Sequence, residues 1–466
     1  MICLQDHTMK TKCVLFLTVF FLAFLALKSQ TPQVYTFQKD DTVLKKQYFE
    51  QAVKQHEFVV STAGIQHAKD YKTAYENQFK QIGELLQSSR AVTAPEANGY
   101  LQAVLQKIIV ANDELKGREL RVIFTRDWWP NAYSMGDGTI AINAGLVIFL
   151  ENEAELSFVL CHELSHYYLQ HTQKSIKKYV ETINSDSVQK ELKKLYKQEY
   201  RVNQRLEELA KSLAFDSRQH SRNNETEADA EGFKFMQKAG YNCSAIRSCL
   251  LLLDKIDDSL LYKPLNLEQV FNFSDYSFKK RWIEKESGIF SRLNENESPE
   301  AKREKDSLKT HPDCSTRILM LSDSLQNAGE KGGNFLVSEN VFNKLKKDFF
   351  VELTEQCYRS GNLSRNLYYS VHMLQTSENT YLAVYSIARC LNQLYENQKD
   401  HRLGTTIDAE SKIYPEDYNL LLRMLGRLKL DELSSLNYFF CKSYYEQMRN
   451  YPNFRDELKK LQKPQN

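Results

Sequence analysis

The feature that most constrains the fold of this chain is the pattern His-Glu-x-x-His at residues 162–166, set among uncharged neighbours. On an α-helix, residues four apart lie on one face, so His162 and His166 can bind a single metal ion. Glu163 is the next residue around the helix and can act as a general base on a water molecule at that metal. The pattern therefore predicts a metal-binding helix. The alternative is a helix with two hydrogen-bonded core histidines.

A second, acidic helix further along the chain is expected to supply the third ligand. Glu225 and Asp229 are four residues apart and share a face, while the small residues Ala228 and Gly232 permit close packing against another helix. A carboxylate on this face completes a His-His-Glu site that leaves a fourth position open to water. Asp229 is then placed to orient a ligand histidine. Glu227 is predicted to face solvent.

His171 is predicted to take no part in the metal site. One class of metallopeptidase extends the pattern to His-Glu-x-x-His-x-x-Gly-x-x-His. Here the glycine position is Leu169 and the last position is Thr172. On a continuous helix His171 lies about half a turn away from His162, so we expect it to point elsewhere, as a surface or structural residue.

The pairing of His-Glu-x-x-His with a downstream Glu-x-x-Ala-Asp helix resembles peptidase family M48, which includes the CAAX prenyl proteases. The resemblance covers roughly residues 95–325. It implies an α+β zincin-type fold of the gluzincin class and one zinc ion (Zn2+) per chain. The implied ligands are His162, His166 and Glu225, with Glu163 as the general base.

Two residues after this helix are implicated by the same resemblance. The segment 310–318, with its His-Pro pair and later arginine, is similar to a family segment whose histidine approaches the zinc. His311 is therefore expected either to stabilise the oxyanion or to occupy the open metal position as a latch. The alternative is a loop residue at a helix start. Arg317 is the other candidate for polarising the substrate carbonyl.

Short β-rich segments precede the metal helix. Residues 120–125 alternate in polarity and are rich in β-favouring types, which predicts a strand. Residues 128–133 predict a loop, and residues 136–138 predict a turn. The next strand is expected to be the edge along which an extended peptide substrate pairs its backbone. Its residues are Thr139, Ile140, Ala141, Ile142 and Asn143.

The length of the chain, 466 residues, favours two or three domains, and its low content of glycine (16) and proline (9) favours helices. We predict a mainly α fold with a small β-sheet, followed by an α-helical C-terminal domain. The predicted parts are a helical N-terminal region (31–94, two helices of a pro-region or lid), a protease domain (95–325) and a C-terminal domain (326–466). The net charge of +2 gives no electrostatic case for nucleic-acid binding.

The remaining segments leave alternatives open. Residues 175–215 predict a helical hairpin with a solvated face, or a gate over the cleft, and residues 265–309 predict a surface insertion. The aromatic-rich C-terminal helices are spaced rather like tetratricopeptide repeats, although a plain helical domain fits nearly as well.

Residues 1–30 read as a signal peptide, with Lys10 and Lys12 before an apolar run that is short for a membrane span. An uncleaved membrane anchor is the alternative, and only then is membrane association expected. Asn224-Glu225-Thr226 forms a glycosylation sequon at the predicted metal ligand, which argues against a eukaryotic secretory pathway. Irregular cysteine spacing predicts no disulfide framework. The bacterial periplasm is the predicted location, with secretion as another possibility.

Together these features predict an exported zinc metalloendopeptidase that cleaves extended or misfolded envelope proteins. The alternative is a latched or weakly active protease that serves mainly as a chaperone or assembly scaffold through its C-terminal helices. Protein or peptide substrates are expected in the first case, and a protein partner at the C-terminal domain is possible in either.

Overall fold

The computed structural model describes residues 37–62, 66–195, 222–257, 264–284, 314–376, 379–411 and 414–461. The predicted signal peptide, His311, most of the 265–309 insertion and the second half of the 175–215 hairpin lie outside these residues. Among the described helices, none is both long and apolar enough to cross a membrane.

A four-stranded sheet forms the centre of the first half of the molecule. Its strands are β1 (Ala91–Val92), β2 (Arg121–Thr125), β3 (Ala132–Ser134) and β4 (Thr139–Asn143). The order is β1-β2-β4-β3, in which β2 and β4 are parallel and the two outer strands are antiparallel to their neighbours.

This order overturns the predicted substrate edge. Thr139, Ile140, Ala141, Ile142 and Asn143 do form a strand, but it lies between β2 and β3 and all five residues are buried. Its backbone is paired on both sides and cannot receive a peptide. The outer strand is β3, which begins in the segment predicted to be a loop.

Helices surround the sheet. In chain order they are α1 (Thr42–Thr62), α2 (Ala68–Gln87), α3 (Pro95–Ala111), α4 (Ala144–Val147), α5 (Glu153–Tyr168), α6 (His171–Ile183), α7 (Asp186–Leu195), α8 (222–238), α9 (Ala245–Asp257), α10 (Leu267–Phe271) and α11 (Cys314–Ala328). Helix α5 carries the His-Glu-x-x-His pattern, and α8 carries the second acidic motif.

The hairpin of α1 and α2 covers one face of the sheet. Ile82 and Leu85 of α2 share a buried apolar cluster with Ile123 of β2 and Ala141 of β4. Removing the hairpin would expose these strand residues to water, which is costly for large apolar side chains. The hairpin is therefore packed into the folded core, and the interpretation as a pro-region or lid stays a prediction.

The C-terminal region is helical throughout its named elements. They are α12 (Glu339–Arg359), α13 (Leu363–Gln375), α14 (Thr380–Lys399), α15 (Glu416–Arg427), α16 (Leu430–Ser443), α17 (Tyr445–Met448) and α18 (Pro452–Lys459). The fold is thus mainly α with one small sheet and a helical C-terminal region, as predicted. The tetratricopeptide interpretation stays a prediction.

Helix α12 joins the C-terminal helices to the sheet region. The ring of Phe349 lies edge-on to Phe124 of β2, with centroids 4.9 Å apart. Beside them, the guanidinium of Arg126 forms a fully buried ion pair with Glu352 of α12. One apolar core accordingly runs from the sheet into the C-terminal helices.

The start of the metal helix is fixed by a buried carboxylate. Glu153 accepts hydrogen bonds from the hydroxyls of Tyr100 and Tyr241 and from the backbone N–H groups of residues 336–338. A carboxylate in the first turn of a helix also interacts favourably with the helix dipole. Asn152 caps the same end by accepting from Glu155 N at 3.0 Å. These contacts hold α5 in place relative to its neighbours.

Candidate metal centre

The two motif helices cross at Gly232. A Cβ atom on this residue of α8 would lie only 3.1 Å from the backbone nitrogen of His162 and 3.2 Å from its Cα. Glycine therefore permits an approach that a side chain would obstruct. At this separation α8 can present Glu225 to both histidines of α5.

Three potential ligand atoms converge between the helices. The Nε2 atoms of His162 and His166 are 3.1 Å apart. The Glu225 carboxylate lies 3.4 Å from Nε2 of His162 and 3.3 Å from Nε2 of His166. Among the described residues these three form a group that could hold a metal ion. Tetrahedral zinc with bonds of about 2.0–2.1 Å separates its ligands by about 3.3 Å, so the donor set and spacing fit such an ion.

Asp229 and Arg317 support the other side of His162. The Nδ1 atom of His162 lies 2.9 Å from Asp229 Oδ1. The Arg317 guanidinium donates two hydrogen bonds to Asp229, from Nε at 2.7 Å and from Nη2 at 2.6 Å. We call Asp229 and Arg317 the His162 support. Arg317 is thus engaged chiefly with this carboxylate, while its Nη1 lies 3.9 Å from Glu225.

The electrostatics of this group favour a cation. Burial opposes a charge on His162, but hydrogen bonds to Asp229 and Glu225 outweigh it and raise the pKa of His162 to about 10. Burial likewise opposes a charge on Asp229, yet Arg317 and His162 lower its pKa to about 2. Two carboxylates that draw a proton to His162 also favour a divalent ion in its place, since metal and proton compete for the same nitrogen.

His171 lies outside the group of three ligand atoms, as predicted, but it does not point away from the site. His171 is 3% exposed, and its Nδ1 lies 2.9 Å from Nδ1 of His166. Its Nε2 lies 3.2 Å from the carboxylate of Glu227. Glu227 is mostly exposed, as predicted, but it contacts this histidine. Burial lowers the pKa of His171 against the opposing effect of Glu227. We call His171 and Glu227 the His166 support.

Glu163 faces a cavity beside the three ligands. It is open to solvent, and the free space within it and at its mouth amounts to about 330 Å³. Its lining residues are Asn131, Ala132, Leu146, Phe158, Val159, His162, Glu163, Leu253 and Arg317. The predicted base therefore shares one cavity with His162 of the ligand group, and most of the other walls are apolar.

Strand β3 lies along this cavity, because Asn131 and Ala132 contribute to the lining. Asn131 O accepts from Asn143 N at 2.9 Å, and Met135 N donates to Thr139 O at 2.8 Å. In an antiparallel pair the intervening alternate residues turn their main-chain groups the other way. The N–H and C=O groups of Ala132 and Ser134 therefore point away from β4.

Sequence reasoning missed both β3 and the His166 support. A loop was predicted over residues 128–133, which include the first two residues of β3. The described cysteines are all buried and unpaired, which agrees with the absence of a disulfide framework among them.

A helix carrying His-Glu-x-x-His, joined by a glutamate from a second helix beside a terminal strand, is the arrangement of a metallopeptidase. Comparison with family models supports this class, because residues 95–324 match the model of peptidase family M48. The domain formed by residues 95–324 belongs to that family. Membership indicates a hydrolase that acts on peptide or protein substrates. A search of curated proteins found no match.

Proposed function

We propose that this protein is an exported zinc-dependent metalloendopeptidase that cleaves extended segments of misfolded envelope proteins. The observation that carries the proposal is the convergence of His162, His166 and Glu225 at 3.1–3.4 Å next to a cavity that contains Glu163. His162, His166 and Glu225 would hold the zinc ion.

When bound, zinc supplies Lewis acidity toward water and toward a carbonyl oxygen. The chain's own part is proton transfer and orientation. The Glu163 carboxylate accepts a proton from the attacking water and returns it to the leaving nitrogen. Arg317 is nearly buried in the cavity wall, and its Nη1 lacks a hydrogen-bond partner among the described residues. This N–H is available to an oxygen of the substrate.

Strand β3 is the proposed docking edge for the substrate backbone. The outward N–H and C=O groups of Ala132 and Ser134 can pair with an extended peptide in the manner of an added strand. Such pairing recognises the substrate through main-chain hydrogen bonds and requires the target segment to be unfolded. This requirement supports a role in removing misfolded proteins.

The cavity next to Glu163 favours an apolar substrate residue beside the cleaved bond. Leu146, Phe158, Val159 and Leu253 form its apolar wall. An apolar side chain that packs against this wall loses contact with water, which is favourable in proportion to the apolar area covered. Segments rich in such residues are buried in folded proteins and become accessible on misfolding.

The experiment that tests the proposal compares the wild type with Glu163→Gln. This change keeps the size of the side chain and the zinc ligands but removes the proton acceptor. We expect both proteins to bind zinc and only the wild type to cleave unfolded casein. The peptidase proposal is abandoned if both bind zinc and the wild type cleaves no faster than the variant.

That outcome would favour the alternative of a chaperone or assembly scaffold, in which the C-terminal helices bind a protein partner. A periplasmic location is tested separately, by fusing residues 1–40 to a reporter that folds only after export. Cytoplasmic retention of the reporter would contradict the export part of the proposal.

A further inference from the structure

Three acidic residues of α8 each reach a histidine near the metal centre. Glu225 contacts the Nε2 atoms of both proposed ligands, and Asp229 contacts Nδ1 of His162. Glu227 reaches the third histidine, His171, at 3.2 Å. The contact of Glu227 and the contact between His171 and His166 have no part in the reaction proposed above. They raise the question of what His171 does.

The geometry fixes the direction of the hydrogen bonds around His166. Its Nε2 faces His162 and Glu225, so a metal ion between them leaves the ring proton on Nδ1. That N–H can only donate, and the atom 2.9 Å away is Nδ1 of His171. His171 must then accept at Nδ1 and carry its own proton on Nε2, which faces the Glu227 carboxylate. Every donor in this chain of contacts meets an acceptor.

We propose that His171, with Glu227 behind it, is a positioning residue that fixes the ring orientation and proton position of His166 and thereby increases metal affinity. The inference rests on the proposed metal role of His166. Histidines that bind metals commonly donate their second ring N–H to an outer partner, and loss of that partner weakens binding about 10–100-fold. Here the partner is a neutral imidazole.

The backbone is shaped to bring His171 to this position. Helix α5 ends at Tyr168, and Gln170 adopts a left-handed conformation with φ 58° before α6 begins at His171. Non-glycine residues rarely adopt this conformation, and it costs about 1–2 kcal/mol. After this break, the ring of His171 meets that of His166 edge-on, with centroids 4.9 Å apart.

A purely structural role for His171 makes a different prediction. A buried histidine that only fills space would affect stability when replaced, but it would leave metal affinity unchanged. His372 provides a matched control, because it is also a buried histidine, at 4% exposed, and lies in α13 against Tyr368 and Asp417.

The test measures zinc affinity of the full chain by competition with a chelator, together with the visible spectrum of the cobalt(II) form. We expect His171→Leu to weaken zinc binding about 10–100-fold and to alter the cobalt spectrum. His171→Asn should recover most of the affinity, because its Oδ1 can accept from His166. Glu227→Gln should have a smaller effect, since that side chain is largely exposed, and His372→Leu should have none.

Unchanged zinc affinity and cobalt spectrum in His171→Leu would overturn the inference, provided the wild type binds zinc. Failure of the wild type itself to bind zinc would instead refute the proposed function. If His171→Leu does not fold, nitrogen NMR of the histidine rings in the zinc-loaded wild type decides the question. We expect the His171 proton on Nε2, and a proton on its Nδ1 would contradict the proposed hydrogen bond from His166.

Discussion

His162 and His166 both direct Nε2 toward the proposed metal position, but their Nδ1 atoms lie in different surroundings. The His162 support is an ionised Asp229 paired with Arg317, and the side chains of both residues are at most 4% exposed. The His166 support is a neutral imidazole followed by a carboxylate that is 57% exposed. One proposed ligand is therefore held by buried charges, and the other by a chain of hydrogen bonds that ends in solvent.

This difference predicts how each support fails. Removal of one member of a buried ion pair leaves an uncompensated charge in a low-dielectric environment, which is strongly destabilising. Loss of a neutral acceptor leaves one N–H without a partner and costs less. The His162 support should therefore determine both stability and metal affinity, whereas the His166 support should mainly determine metal affinity.

The largest effect is expected from Asp229→Ala. It removes the partner of His162 and leaves the Arg317 guanidinium buried without its two hydrogen bonds. We expect a loss of about 3–5 kcal/mol in the free energy of unfolding, measured by urea denaturation, together with weaker zinc binding. Glu231→Ala is the control on the same helix, since it removes an ion pair with Lys234, whose side chain is 60% exposed, and should cost about 1 kcal/mol or less. Equal losses in the two variants would contradict the buried-charge description of this support.

His372 is a buried histidine outside the metal centre, so its pKa shows the effect of burial without metal binding. Burial lowers the pKa of His372 to about 4. Asp417 lies 3.9 Å away, and burial raises the pKa of its carboxyl. In an unfolded chain the pKa of histidine is about 6.5, so below that pH the unfolded state takes up a proton first.

The free energy of unfolding should therefore fall as the pH decreases from about 6.5 to about 4, with this histidine contributing about 3 kcal/mol at the lower limit. His372→Gln should remove this contribution to the pH dependence of the free energy of unfolding. Urea denaturation of both proteins at several pH values measures that dependence. An identical slope in the wild type and the variant would show that His372 is not held neutral by burial.

A smaller effect is expected from Gly232→Ala, which acts on both supports together. The added Cβ would lie 3.1 Å from His162 N and would push α8 away from α5. Strain of this kind typically costs about 1–3 kcal/mol, and zinc affinity should fall because Glu225 moves with the helix. Gly99→Ala in α3 is the matched control, because its Cβ meets no atom within 4 Å and should raise stability slightly. Unchanged stability and zinc affinity in Gly232→Ala would show that the close approach of α8 to α5 does not require glycine.

The sequence was informative where short-range geometry determines the outcome. His162 and His166 share a face because four residues make about one helical turn, and the small Gly232, about two turns after Glu225, indicated a close helix crossing. Both expectations depend on a single helix or a single pair of helices. The structure brings these residues together in the predicted way.

The failures come from features that depend on distant parts of the chain. Strand β4 looked like an edge because nothing in its five residues states which strands lie beside it, and β3 is only three residues long. The position of His171 was not predicted because α5 was assumed to continue, whereas it ends at Tyr168 and Gln170 adopts a left-handed conformation. Glycine or asparagine would have signalled that helix end, but glutamine does not.

X-ray absorption at the zinc edge of the purified protein tests the central claim most directly. We expect one zinc ion per chain, with two imidazole rings and only oxygen as the remaining nearest neighbours, at about 2.0–2.2 Å. Glu225→Ala should reduce zinc occupancy without removing the imidazole signal from what remains. A protein that binds no zinc, or a spectrum with sulfur at about 2.3 Å, would contradict the assignment of His162, His166 and Glu225 as the ligands.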